Sequence, residues 1–293
     1  MSPRAATRRV TLVATTSEKR ETFRRMHASG CFVLPNPWDV GSARYLQGLG
    51  FRALASTSSG AAWSMGAPDN GITLEQAIAH AAALAAATDL PVNADFEHGF
   101  ADDPEAVARH VARCLATGVA ALSIEDSTGE QARPLYELSL AVERIAAARA
   151  AIDAAGDGAA LLVGRAECFL TGHPEPLAES IRRLGAYAAA GADVLYAPGL
   201  RSREEIAAVV AAVAPKPVNV LALSGMRVAE LAELGVRRIS VGGGLARAAW
   251  GGFLRAAREI AEAGTFTALG EAPPGRDLDA FFTADLARRR AEK

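Results

Sequence analysis

The chain has 293 residues and only three lysines, Lys19, Lys216 and Lys293. Lys216 comes just before an apolar run that reads as a strand, and the other two lie outside the repeating part of the chain. A Schiff-base enzyme needs a buried lysine of lowered pKa in its site, so carbanion chemistry through an imine is excluded. Cysteine is as scarce. Cys31, Cys114 and Cys168 are odd in number and far apart, with neither metal-ligand spacing nor a disulfide framework. A reduced, cytoplasmic setting is expected. There is no basic excess: 31 Lys and Arg face 33 Asp and Glu. Nucleic acid and anionic membrane are therefore not expected partners. No apolar run is long enough to span a bilayer. Arg4, Arg8 and Arg9 are not followed by a signal-peptide core.

What is present is a rhythm from Cys31 to Gly264: a short apolar run, a loop, an amphipathic helix, then glycine. The spacing predicts strands at Cys31–Leu34, Ala53–Thr57, Val92–Glu97, Ala120–Glu125, Leu161–Glu167, Val194–Ala197, Val218–Leu223 and Ile239–Val241. Helices are predicted at Leu74–Ala87, Pro104–Thr117, Leu138–Ala155, Leu177–Ala190 and Arg203–Val213. Gly50, Gly118, Gly191 and Gly235 fall where a left-handed helix stop is needed. Eight such units point to a single-domain (β/α)8 TIM barrel over residues 31–264. An open doubly wound sheet is the alternative, but the first βα turn, Pro35-Asn36-Pro37-Trp38-Asp39, has no glycine. Residues 1–30 read as a tail plus an outer helix at Ser17–His27 capped by Ser17. Residues 265–293 read as an extension ending in a charged helix, Leu278–Arg290.

In such barrels reactive groups lie at the C-terminal strand ends. Two successive apolar runs end in acid there, at Asp95 and Glu97 and at Glu125-Asp126. Asp95 and Glu97 are two apart, so in an extended chain they point the same way. Three hard oxygen donors suit Mg²⁺, with Mn²⁺ as the alternative. Read singly, each acid is equally an N-cap or loop acid. Arg165 is the one buried cation expected at this mouth, suited to a small di- or tricarboxylate. Ser56–Gly60 offers hydroxyls and N–H groups for a carboxylate, or caps the next helix. Asn219 ends the seventh strand and joins the substrate-binding candidates. Asp69 lies on a loop and by itself is an ordinary turn aspartate. His27, His80 and His110 read as helix-surface residues, and Gly242-Gly243-Gly244 as a tight turn rather than a phosphate cradle.

Four segments resemble the isocitrate lyase/phosphoenolpyruvate mutase superfamily. Asp95-Phe96-Glu97-His98-Gly99-Phe100-Ala101 is similar to its Asp-x-Asp-x-Gly-Tyr-Gly. Ile124-Glu125-Asp126 looks like its Leu-Glu-Asp, and Val163-Gly164-Arg165-Ala166-Glu167 like its Val-x-Arg-x-Glu. Pro35-Asn36-Pro37-Trp38-Asp39 resembles its opening. The resemblance implies that Asp95, Glu97 and Glu125 bind Mg²⁺, directly or through water, and that Arg165 clamps the substrate carboxylate. It implies that Ser58, Ser59 and Gly60 hold the other end of the acid. Asp69 becomes a loop aspartate approaching the site, and Glu167 orients its neighbours. It also implies a homotetramer or dimer, with the last barrel helix, Leu245–Ala263, exchanged between subunits.

Two departures narrow the activity. The lid Lys-Lys-Cys-Gly of true isocitrate lyases is replaced by a stretch without Lys or Cys, Asp126–Pro134. The strand-six histidine of the mutase branch is replaced by Ala197. A Mg²⁺-dependent C–C lyase or decarboxylase acting on a 2-oxo or 2-hydroxy acid through an enolate is expected. A C–P bond enzyme and a non-catalytic acid-binding barrel are the alternatives.

Overall fold

The computed structural model describes residues 14–156 and 160–291. The expected tail at residues 1–13, and Lys293, lie outside the described residues. Helix α1 (Thr16–Met26) comes first, then β1 (Phe32–Leu34) and α2 (Val40–Gly48). β2 (Leu54–Ala55) leads into α3 (Ser58–Ser64) and α4 (Leu74–Ala87). β3 (Val92–Asp95), α5 (Pro104–Leu115), β4 (Ala121–Glu125), α6 (Leu138–Ala154), β5 (Leu161–Arg165) and α7 (Pro176–Ala189) follow. β6 (Val194–Tyr196), α8 (Arg203–Val213), β7 (Val218–Leu221), α9 (Val228–Glu233) and β8 (Arg238–Ser240) complete the cycle. Two helices end the chain, α10 (Gly244–Ala263) and α11 (Gly275–Ala291), with a 3-10 turn at Thr267–Glu271 between them.

All strands pair in parallel in the order β1-β8-β7-β6-β5-β4-β3-β2. The ring closes between β1 and β2 just beyond the regular ladder. Ala55 N donates to Pro35 O at 3.1 Å, and the buried Asn36 fastens the seam. Its Nδ2 donates to Ser56 O at 2.8 Å, and its Oδ1 accepts from Val241 N at 2.8 Å and Gly242 N at 2.9 Å. One amide thus holds β1, β2 and the end of β8 together. The result is a (β/α)8 barrel, as the alternation of elements predicts, and not the open sheet.

Side chains alternate across each strand. Outward-facing Leu122, Ile124, Leu162, Leu195, Val218, Val220 and Ile239 pack under the helices. Inward-facing Phe32, Leu34, Ala53, Ala121, Leu161, Val163 and Val194 fill the lower barrel. Phe23 of α1 is fully buried against them and plugs the N-terminal end. Its ring meets those of His27 and Phe32 edge-on at 4.6 and 6.2 Å. His27 is therefore buried, not a surface residue. It sits one turn after Phe23, on the same inward face. His80 and His110 are also turned inward, bonded to Trp38 O at 3.0 Å and Gly99 O at 2.8 Å. The cap of α1 is Thr15, in a capping box with Glu18, rather than Ser17. The four predicted stop glycines all have positive φ, from 86° to 105°.

α10 lies apart from this pattern. Only Ala246 of its 20 residues is buried, and it packs chiefly on the 3-10 turn. α11 folds back onto α2, where Phe281 covers Gly48. Among the described residues no helix is long and apolar enough to cross a membrane.

Candidate active site

The C-terminal end of the barrel opens into a cavity of about 170 Å³. Ser58, Ser59, Asp69, Asp95, Arg165 and Asn219 line it, so the structure brings six of the ten predicted site residues to one wall. Glu97, Glu125 and Glu167 are buried beside them. Gly60 is not on the wall. It is packed into α3, where a Cβ would meet Thr57 Cγ2 at 2.7 Å and Trp38 Cβ at 2.9 Å.

Arg165 organises the site. Its Nη1 lies 3.1 Å from Asp95 Oδ1 and 3.0 Å from Glu125 Oε2, and its Nε donates to Glu167 Oε1. Tyr196 lies under it, ring centroid 5.3 Å from the guanidinium carbon. Burial opposes the charged form of Arg165, but Glu125, Glu167 and Asp95 hold its pKa well above the usual arginine value. Asp95 is also fixed from the other side. Ser58 N and Oγ both donate to its Oδ2 at 2.9 Å. Ser58 thus acts as a clamp on the acid as well as lining the wall. Ser59 Oγ lies 3.1 Å from Thr57 Oγ1.

Glu97 reaches the cluster by a different path from that expected. β3 ends at Asp95, and Glu97 has φ +46°, so the chain has already turned out of the strand. Its Oε1 is buried without a hydrogen-bond partner. Burial, then the charges of Asp95 and Asp69, push its pKa up to about 8. Burial likewise pushes Glu125 well above the carboxylate range, against the pull of Arg165. Asp69 is raised by burial and by Asp95. Asp126 is a framework acid. Arg183 Nη1 lies 3.1 Å from its Oδ2, and its Oδ1 accepts from Glu167 N at 2.8 Å.

Residues 23–261 match the phosphoenolpyruvate phosphomutase family profile. The chain belongs to that family. A Burkholderia cenocepacia crystal structure, itself only provisionally a lyase/mutase, is 48% identical with a TM-score of 0.87, covering 92% of this chain and 97% of that one. A 2,3-dimethylmalate lyase of the PEP mutase/isocitrate lyase superfamily is 27% identical with a TM-score of 0.79, covering 94% and 97%. The oxaloacetate decarboxylase of Pseudomonas savastanoi pv. phaseolicola is 30% identical over 76% of this chain and 78% of its own. The chain is thus an enzyme of the lyase/mutase type.

Several departures from the more specialised branches of this phosphomutase family have physical counterparts. Among the described residues no lysine lines the cavity. Lys19 Nζ is tied to Thr88 O at 2.6 Å and Lys216 Nζ to Ala192 O at 2.7 Å, both away from the mouth. Cys168 is fully buried, and burial pushes its thiol up to about 11. It is packing, as its place on an apolar run suggests. Gly242 (φ +50°) and Gly243, whose Cβ would meet Ser59 Oγ at 2.8 Å, form a tight turn. One site residue escaped sequence reasoning. Arg238 is 3% exposed and lines the cavity floor, so Arg165 is not the only buried cation. Arg237-Arg238 lies just before the predicted start of the last strand at Ile239. The alternation Arg238-Ile239-Ser240 was the signal that placed Arg238 inside.

The residues present suit a hard divalent cation. The donors are all carboxylate oxygens, one of them has no hydrogen-bond partner, and two are raised by burial and mutual crowding. Among the described residues no three acids already surround one point, because the Arg165 guanidinium occupies the space between Asp95 and Glu125.

Proposed function

We propose that this chain is a Mg²⁺-dependent C–C lyase or decarboxylase acting on a small 2-oxo or 2-hydroxy di- or tricarboxylic acid. The observation that carries the reading is the acid set Asp95, Glu97 and Glu125 close to Arg165 at the barrel mouth, with no lysine among the described residues of the wall. Asp95, Glu97 and Glu125 would hold the cation. When bound, it supplies Lewis-acid stabilisation of the negative charge that develops as the C–C bond breaks.

The chain's own groups do the rest. Arg165 grips the substrate carboxylate and offsets enolate charge. Glu167 fixes the fork of that guanidinium through Nε. Ser58 keeps Asp95 turned to the cavity, and Ser59 and Asn219 offer polar contacts along the wall. Asp69 is the candidate acid/base. It lies on an exposed loop that lines the cavity, its Oδ1 accepts from Asn70 N at 3.1 Å, and desolvation together with the charge of Asp95 raises its pKa, which favours Oδ2 as the group that passes a proton to the carbanion carbon.

The oxaloacetate decarboxylase and 2,3-dimethylmalate lyase relatives both act on short diacids, which supports this reading. The match to the phosphomutase family favours C–P chemistry as the second reading. Turnover of a phosphonate substrate would promote it. Asp95→Ala tests the leading reading. Mg²⁺ binding and turnover should both be lost, the latter by roughly 10²-fold or more, with the melting transition retained. Full activity in that variant would overturn it.

We also propose a homo-oligomer, a tetramer or a dimer. Support comes from α10, which leaves Trp250, Phe253, Leu254 and Ile260 exposed on a helix barely attached to its own barrel.

A further inference from the structure

The barrel axis below the acid cluster holds Arg238. Its Nε donates to Asn219 Oδ1 at 2.8 Å and its Nη1 to Asn93 Oδ1 at 3.2 Å. A guanidinium carries five N–H donors. Among the described residues these two amide oxygens are its hydrogen-bond partners, and no carboxylate pairs with it. Burial lowers its pKa to about 10, with Tyr196 acting in the other direction, so it is cationic at neutral pH. Arg165, by contrast, already faces three carboxylates.

A buried charge without a counter-ion is costly, and this layer of a barrel is normally filled by branched aliphatics. Here the guanidinium is held by Asn93 and Asn219, and Tyr196 and Ser240 line the same cavity with it. A charge held among neutral polar groups at the bottom of an open cavity is an anion site. Its depth also fits. Asn93 lies two residues before Asp95 on the same face of β3, so the guanidinium is roughly 7 Å below the acid cluster. The end carbons of a four-carbon diacid are roughly 4 Å apart, and a charge-assisted hydrogen bond of ~2.8 Å spans the remainder.

We propose that Arg238 is a floor subsite that takes the distal carboxylate of a dicarboxylic acid whose 2-oxo or 2-hydroxy end sits at Asp95 and Arg165. This subsite rests on the diacid reading of the mouth and adds a selection rule to it. Acids that carry a second carboxylate on a short straight chain bind, and those whose far end is neutral do not. Arg238 also offsets the repulsion that the acid-rich mouth would exert on a dianion.

The test is calorimetric binding to the full chain with Mg²⁺, using oxalate, malate and malate 4-monoamide, on wild type and Arg238→Met. Oxalate is too short to reach the floor. Malate should bind wild type roughly tenfold to a hundredfold more tightly than its monoamide, the size of a charge-assisted pair. Arg238→Met should abolish that gap and leave oxalate affinity unchanged. Equal affinity of wild type for malate and the monoamide would overturn the subsite, and this result stands even if the variant fails to fold. Equal loss of oxalate and malate in a folded variant would overturn it too, as a purely structural role. Wild type that binds oxalate but shows no malate preference leaves the metal-site reading standing. Wild type that binds none of the three with Mg²⁺ overturns both.

Discussion

Arg165 touches Asp95, Glu125 and Glu167 at once, and this single side chain offsets much of the crowding of acids at the barrel mouth. Glu97 is the member it serves least, with an unpartnered oxygen and a pKa pushed up to about 8. A protonated carboxyl must lose its proton to ligate a cation. Mg²⁺ affinity should therefore rise with pH below about 8, by about tenfold per unit for each proton released. Calorimetric titration at pH 6, 7, 8 and 9 measures this. Glu97→Gln should make the profile shallower, and a wild-type affinity independent of pH would remove Glu97 from the metal set. The acids and Arg165 were legible in the sequence because a charge at the exit of an apolar run marks the end of a buried strand, where a barrel keeps its reactive groups. Arg238 was not, because a charged pair before a short strand looks like a solvated turn. The route by which Glu97 joins Asp95 was hidden as well. Two-residue spacing implies one face only while the chain stays extended, and at φ +46° it does not.

The eight βα units were readable at the level of elements because apolar runs, amphipathic helices and stop glycines recur in a fixed order. The predicted strand ends overran by two residues at β2, β3, β5 and β7. The apolar signal continues past the last ladder bond into the loop that carries the site. α1 was placed correctly, but its inward face was not, since His27 gives no hydrophobic signal. That histidine ties the element to pH. Its Nδ1 is 2.8 Å from Phe23 O, its Nε2 has no partner, and burial lowers its pKa to about 3. The unfolded chain, with an ordinary histidine near 6.5, binds the proton first. Stability is therefore unaffected above about pH 6.5 and falls as pH drops toward 3, by at most about 1.4 kcal/mol per unit from this group. Urea unfolding at pH 7, 6 and 5 should show the loss, and His27→Gln should reduce it. An identical pH slope in that variant would contradict the role given to His27.

Over the whole molecule, one asymmetry stands out. The helices between the strands cover the barrel, while α10 carries its apolar residues into solvent and α11 covers α2 from the C-terminal side. Sequence pattern could not distinguish this from ordinary barrel packing, because an amphipathic helix looks the same whichever barrel it covers. Phe253 is 58% exposed and meets Trp250 edge-on at 5.2 Å. Phe253→Asp should shift the protein toward monomer in light scattering after size exclusion, and a wild type that is already monomeric at micromolar concentration would refute the oligomer.

The metal-dependent lyase reading is tested most directly by following pyruvate and glyoxylate release from oxaloacetate, alkylmalates, isocitrate and methylisocitrate, each with Mg²⁺ and with EDTA. Release from at least one short diacid with Mg²⁺ is expected, abolished by the chelator and restored by adding the metal back. No release from any of them, by folded protein that binds Mg²⁺, would contradict it.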